Sequence, residues 1–269
     1  LKNLSWIDKN KLKIQINHDD QVYHIDLKKG HDLSIKNDFS GNAPIFYGAE
    51  QPKVFPQHSG NFIGDLESGG SCSVPIVSCN IHCTGTHTEC ISHIQESKFK
   101  ITDKCPKGLI PSYLITVEPE PANSIKDSYH CDISESNVIG KEGIESKIST
   151  PCDSLIIRTL PNDESKLSRN YDNVSAPFLT SDAMYYINQL GVKHLLVDLP
   201  SIDKADDGGV LGNHRLFFNK GDTISEMLYI PDNILDGFGF LQIQIPNWSL
   251  DSAPSCLLYT SPSPRDTMS

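Results

Sequence analysis

Residues 152–159, CDSLIIRT, and residues 180–200, TSDAMYYINQLGVKHLLVDLP, decide the fold class. The first stretch is a short continuous apolar run, the pattern of a strand covered on both faces. In the second, Thr180 or Ser181 is placed to cap a helix and Asp182 sits in its first turn, where a negative charge is favoured. Ala183, Tyr186, Ile187 and Leu190 recur at helical spacing and form one apolar face. Gly191 supplies the left-handed residue that ends such a helix. VKHLLVDLP then reads as a second buried strand ending at Pro200. Strand, helix and strand from 155 to 200 make a βαβ unit, and with it an α/β fold containing parallel strands.

Working outward, residues 11–35 alternate in LKIQI and VYHIDL, two strands of a hairpin turning at His18-Asp19-Asp20. Residues 37–56, rich in Gly, Pro and aromatics, read as a long ordered loop, a type that is usually functional. VPIVSCNIH (74–82), the apolar run inside KGLIPSYLITVEPEPAN (107–123) and FGFLQIQI (238–245) read as further strands. No internal repeat or domain boundary is evident, so residues 1–255 are expected to form a single domain. The last fourteen residues, CLLYTSPSPRDTMS, break from the preceding composition and resemble translated library adapter. Cys256 onward is therefore expected to be a non-native or disordered tail.

The 269 residues suffice for a core without covalent staples. Charged residues make up 21% and hydrophobic residues 38%, which excludes a disordered chain. A net charge of −11 with no Lys/Arg run argues against nucleic acid or an anionic membrane surface as partner. No segment approaches the roughly 18 consecutive apolar residues of a membrane span. The first residues, LKNLSWIDKNKLKIQ, carry no apolar stretch of signal-peptide length, and the cytoplasm is the expected location. Eight cysteines are even in number, but three of them fall within residues 79–90 beside histidines, so reduced thiols are expected rather than a disulfide framework.

The chemistry concentrates in residues 81–93, IHCTGTHTECISH, with three histidines, two cysteines and a glutamate. In extended backbone His87 and Glu89 point to one face, as a shared metal requires. Cys83 continues that parity, and His93 lies near if the chain turns after Glu89. Asn213-His214-Arg215 and, twelve positions after the histidine, Glu226 form a second constellation. Each pattern has a bland alternative: a polar surface loop for the first, and a satisfied core histidine with a solvated carboxylate for the second. Cys90 falls on the face opposite His87, which argues against a cysteine nucleophile. Neither a G-x-S-x-G elbow nor a nucleotide-binding glycine motif is present.

GTHTECISH resembles the His-x-Gly-Thr-His-x-Asp-x-Pro-x-His signature of the metal-dependent cyclase/hydrolase family typified by bacterial kynurenine formamidase. LIIRT (155–159), LLVDLPSID (195–203), NHRLFF (213–218), ISEMLYIP (224–231) and DSAPS (251–255) follow in matching order, so the resemblance runs from His31 to about Ser255. It implies a mixed sheet curled into a barrel-like core with outer helices, the swivelling β/β/α fold, in a homodimer or homotetramer. It also implies two metal ions, zinc or else manganese, held by Cys83, His87, Glu89, His214 and Glu226, with Glu89 bridging and His93 as proton shuttle. Three positions depart from the signature: Cys83 stands for its first histidine, Glu89 for its aspartate and Ile91 for its proline. At the first departure the Cys83 thiolate, a zinc-compatible donor, is favoured over His82, which strand parity turns away.

The implied reaction is hydrolysis of N-formylkynurenine or a related aryl formamide to arylamine and formate, a step of tryptophan catabolism. Zinc lowers the pKa of bound water to about 7, and the hydroxide attacks the formyl carbonyl while His93 protonates the leaving amine. Phe46 and Tyr47 are candidates for stacking on the substrate ring, and Arg215 for orienting its carboxylate. Packing and a structural ion pair are their respective alternatives. Two other functions stay open: hydrolysis of a cyclic amide such as isatin or another small amide or lactone, and ligand binding by a non-catalytic paralogue.

Overall fold

The computed structural model describes residues 13–262. Nine strands form the main sheet: β1 His31–Asp32, β2 His87–Glu89, β3 Ile110–Val117, β4 Ser154–Thr159, β5 His194–Val197, β6 Thr223–Glu226, β7 Gly237–Gln244, β8 Ser252–Pro254 and β9 Cys256–Thr260. Their order is β8-β2-β6-β5-β4-β3-β7-β9-β1. The inner four, β6, β5, β4 and β3, are mutually parallel. Every other pairing is antiparallel. The mixed sheet curls into a half-barrel with few helices: α1 Ile101–Lys104, α2 Lys141–Glu145, α3 Ser181–Gln189 and α4 Gly212–Phe218.

The βαβ unit is β4, α3 and β5, with Leu155 beside Leu195 and Ile157 beside Val197 in parallel register. Thr180 caps α3 by accepting from the Ala183 amide, and Gly191 has φ of +81°. Alternate residues of the central strands enter two cores. Leu155, Ile157, Leu195 and Val197 pack on α3 and on Phe217 of α4. Ile156, Leu196 and Leu114 pack on the other face with Leu241, Leu257 and Tyr259. Burial on both faces explains why β4 and β5 read as unbroken apolar runs.

The expectation of disorder is corrected at the start of the tail. Cys256–Thr260 forms β9, paired with β7 and β1, and Leu257 and Tyr259 are fully buried. Two apolar side chains in alternation bury themselves whatever surrounds them in sequence, and composition alone did not register that periodicity. Gly239 leaves room for the Tyr259 ring, since a Cβ there would stand 2.5 Å from it. Residues 263–269 lie outside the described residues.

The hairpin forms as expected, Lys13–His18 with Gln21–Asp26, and Asp19 and Asp20 take φ of +48° and +59°. VPIVSCNIH gives a strand only over Pro75–Ser78, paired with Lys53–Pro56 in a ribbon whose residues are all exposed. From 81 to 85 the chain is turn and bend, not strand. None of the helices among the described residues is long and apolar enough to cross a membrane, and all eight cysteines are free.

Candidate metal centre

Strand register builds the inner half of the site. In the antiparallel pair β2–β6, Glu226 stands opposite His87. Directly paired residues share a face, so both side chains project to the same side as Glu89. His87 donates from Nδ1 to the Gly85 carbonyl at 3.0 Å, which leaves Nε2 facing inward, 3.6 Å from Glu226 Oε2. Glu226 Oε1 accepts the Ile202 amide at 2.8 Å.

α4 brings His214. Asp203 accepts the Asn213 amide on Oδ1 at 2.8 Å and the His214 amide on Oδ2 at 3.1 Å, anchoring the helix start. The same Oδ2 accepts from His214 Nδ1 at 2.7 Å, and Tyr129 donates its hydroxyl to Oδ1 at 2.7 Å. A carboxylate behind an imidazole fixes tautomer and ring orientation. His214 Nε2 is thereby aimed at Glu89 Oε1, 3.0 Å away, and at Glu226 Oε1, 3.6 Å away. Residues 87 and 214 therefore converge on one carboxylate pair.

The outer half is built from a turn and the sheet edge. His82 Nδ1 lies 3.1 Å from Glu89 Oε2, and its Nε2 lies 2.9 Å from Asp251 Oδ2 and 2.8 Å from Ser252 Oγ. Asp251 is placed by β8, which pairs with β2 so that Ser252 faces Glu89, and by its carbonyl, which accepts the Cys90 amide. His93 ends a single 3-10 turn, Ile91–His93; its Nε2 is 3.6 Å from Glu89 Oε2 and its ring stacks on His82 at 4.2 Å.

Two groups of donors result, His87–Glu89–Glu226 and His82–Glu89–His93, with Glu89 common to both. His87 Nε2, Glu89 Oε1 and His214 Nε2 are buried without a hydrogen-bond partner. Even the 3.0 Å approach of the last two lacks hydrogen-bond geometry. Buried polar atoms left unpaired are costly, and here they point at one another. Imidazole nitrogens and carboxylate oxygens so arranged fit divalent ions of the zinc type.

The electrostatics agree. Burial works against the charge on Glu89, but His214, His82 and His93 hold its carboxyl well below the usual range. Burial likewise opposes the charged form of His214, and Glu89 and Asp203 raise it well above an ordinary histidine. His82, against its own burial, is raised to about 9 by Asp251 and Glu89. His93 goes the other way: burial, aided by the charges of His82 and His214, lowers it.

Cys83 belongs to neither donor group, whereas His82, which strand parity turns away, belongs to one. Parity holds only in extended backbone, whereas residues 81–85 turn and bring His82 inward. The Cys83 side chain packs with Phe46, Tyr171 and Met227, and burial, with Glu226 and Asp172 nearby, pushes its thiol up to about 11. Phe46 is buried in that same cluster and so packs rather than stacks on a ligand. Tyr47 is exposed and donates its hydroxyl to the Ala205 carbonyl at 2.5 Å, and its phenol is raised by burial and then by Asp207, Asp203 and Glu226. Arg215 is exposed on α4 and donates from Nε to the Val210 carbonyl, outside the donor cluster. Asp203, Asp251 and Tyr129 were not singled out beforehand. The first two lie inside LLVDLPSID and DSAPS, and a search for carboxylates able to orient the histidines would have found them.

The curled mixed sheet thus carries the His87–Glu89–Glu226 donor group on β2 and β6. A solved structure described as a potential metal-dependent hydrolase with cyclase activity superposes with a TM-score of 0.59 at 19% identity, over 87% of this chain and 98% of that one. Isatin hydrolase A from Labrenzia aggregata gives 0.60 at 15% identity, over 87% and 94%. The chain belongs to the family described as "Putative cyclase", whose family model matches residues 16–204. Over 171 residues it is 29% identical to the kynurenine formamidase of Bacillus mycoides (strain KBAB4), 64% of this chain and 71% of that one. Over 206 residues it is 27% identical to the kynurenine formamidase of Bacillus cereus (strain ATCC 10987 / NRS 248), 76% and 82%.

Proposed function

We propose that the chain is a metal-dependent hydrolase of a non-peptide C–N bond, cleaving N-formylkynurenine or a related aryl formamide to arylamine and formate. The observation that carries it is that His87 Nε2, His214 Nε2 and Glu89 Oε1, all buried and unpartnered, gather around the Glu226 carboxylate. Kynurenine formamidases among its relatives supply the substrate class.

In this reading His87, Glu89, Glu226 and His214 would hold one ion, zinc or manganese. His82 and Glu89 would hold a second, with Asp251 orienting His82. A bound ion of this kind supplies Lewis acidity, polarising a carbonyl and acidifying water at neutral pH. Glu89 keeps its negative charge because three imidazoles surround it. His93, lowered in pKa and a quarter exposed, is neutral at pH 7 and open to solvent on one side. It accepts a proton as water adds to the formyl carbon and returns it to the departing nitrogen. Tyr47, exposed, would stack on an aryl ring.

Assaying metal-restored protein on N-formylkynurenine and isatin side by side tests the proposal. Preferential release of formate from the first is expected; its absence with both zinc and manganese overturns the substrate. The reading includes a homodimer or homotetramer in the cytoplasm. Val54, Phe55, Ile76 and Val77, exposed on both faces of the ribbon, support self-association, which light scattering measures.

A further inference from the structure

Away from the donor cluster, a cavity of about 340 Å³ lies between the N-terminal hairpin and the starts of β3 and β4. None of its lining residues belongs to the metal centre. We propose that it is a second ligand site, taking a small organic cation with an ammonium head.

Three features of its wall select for positive charge. Tyr23 and Tyr113 both pack on Phe238, with ring centroids 4.9 and 5.3 Å from it, and His18 stacks on the same ring at 5.7 Å. These aromatics are only half-buried, and they line the cavity rather than fill a core. Faces of Phe and Tyr attract ammonium groups through the ring quadrupole. Asp19, 3.2 Å from His18 Nε2, and Asp153 also line the cavity, and among the described residues no Lys or Arg does. The third feature is α3, which ends here at Leu190 and Gly191 and so presents the negative end of its dipole. The Tyr113 phenol is held above its ordinary value by burial and then by Tyr23, Cys152 and Asp19, so the charge-bearing atoms share one space. Burial and the neighbouring Asp153 push the Cys152 thiol up to about 12, which leaves it uncharged at neutral pH. The volume suits a small metabolite.

Choline and its neutral isostere 3,3-dimethyl-1-butanol, titrated into the full chain by calorimetry at fixed ionic strength, test the site. Saturable choline binding is expected, with the isostere about tenfold weaker. Asp153→Asn and Tyr113→Leu should each weaken choline several-fold while leaving metal content unchanged. Asp153 contributes its backbone carbonyl to the Lys193 and His194 amides, and asparagine keeps that contact, so this variant stays informative if the tyrosine variant misfolds. No saturable choline binding, equal affinity for the isostere, or indifference to Asp153→Asn would each overturn the proposal.

Discussion

Two imidazole–carboxylate pairs flank Glu89, and they differ in how they are held. His214 rests on Asp203 in the interior, both side chains nearly inaccessible. His82 rests on Asp251 at the rim, where the side chains keep 26% and 32% of their exposure. The chemical unit is the same, an imidazole aimed at Glu89 by a carboxylate behind it. The inner pair is fixed by a helix start and by Tyr129, whereas the outer pair depends on a turn and a sheet edge. A divalent ion held by the inner donors would be shut off from solvent, and one held by the outer donors would be open to it. We therefore expect tight retention inside and looser, tunable binding outside.

The largest effect should come from the residue the halves share. Glu89→Gln keeps the shape but removes the charge that both halves use, so bound metal should fall to below one ion per chain. Activity should drop on the order of 10³-fold. Elemental analysis with kcat/KM measures both, and retention of two ions would show that the halves are independent.

Next in size is a contrast between neighbours. His82→Ala should lose the outer ion alone and cost activity on the order of 10²-fold, with the inner ion retained. Cys83→Ala should keep both ions and cost only about 1 kcal/mol of stability, as a small buried side chain lost from packing. The opposite pattern would mean that the turn at 81–85 delivers the thiol, not the imidazole. A graded effect should follow from the carboxylates behind the histidines. Asp203→Asn should weaken the inner ion about 10- to 100-fold. Asp251→Asn should do less, because water at the rim replaces the lost acceptor.

Much of this was legible in the sequence. His87 and Glu89 share a face by strand alternation, and the apolar runs at 155–159 and 194–197 announced buried parallel strands. What joined them to His214 and Glu226 was the ordered series of family segments, since no local pattern states that β2 pairs with β6. The differences from expectation have one physical source each. Cys83 was favoured by extending strand parity into a segment that turns, around Gly85. Composition sets β9 apart from the sequence before it, although Leu257 and Tyr259 alternate as an inward face does. Asp203 and Asp251 lie in the quoted segments but face the histidines His214 and His82, and ligand-spacing patterns do not reach residues that act through another side chain.

A smaller effect separates the halves by pH in metal-free protein. His82 is raised to about 9 in the folded chain, against about 6.5 when unfolded. Its contribution to stability is therefore complete below about pH 6.5 and fades as pH rises through about 9. Asp251, lowered to about 2 chiefly by its hydrogen bond to His82, contributes above about pH 4 and loses that contribution as pH falls through about 2. His82→Gln should thus lower the Tm of chelator-stripped protein by a few degrees near pH 5–6, and by less at pH 9–10. A difference that does not vary with pH would mean the rim pair is not charged.

The smallest expected effect lies just outside the inner half. Arg215 follows His214 on α4, yet it is exposed and its Nε is engaged by the Val210 carbonyl. Consecutive helical residues point about 100° apart, so the rotation that buries His214 carries Arg215 outward. Arg215→Ala should leave metal content unchanged and shift kcat/KM by no more than about twofold, the range of an ordinary surface substitution. A rise in KM for an acidic substrate with kcat intact would instead put the guanidinium within reach of a substrate carboxylate.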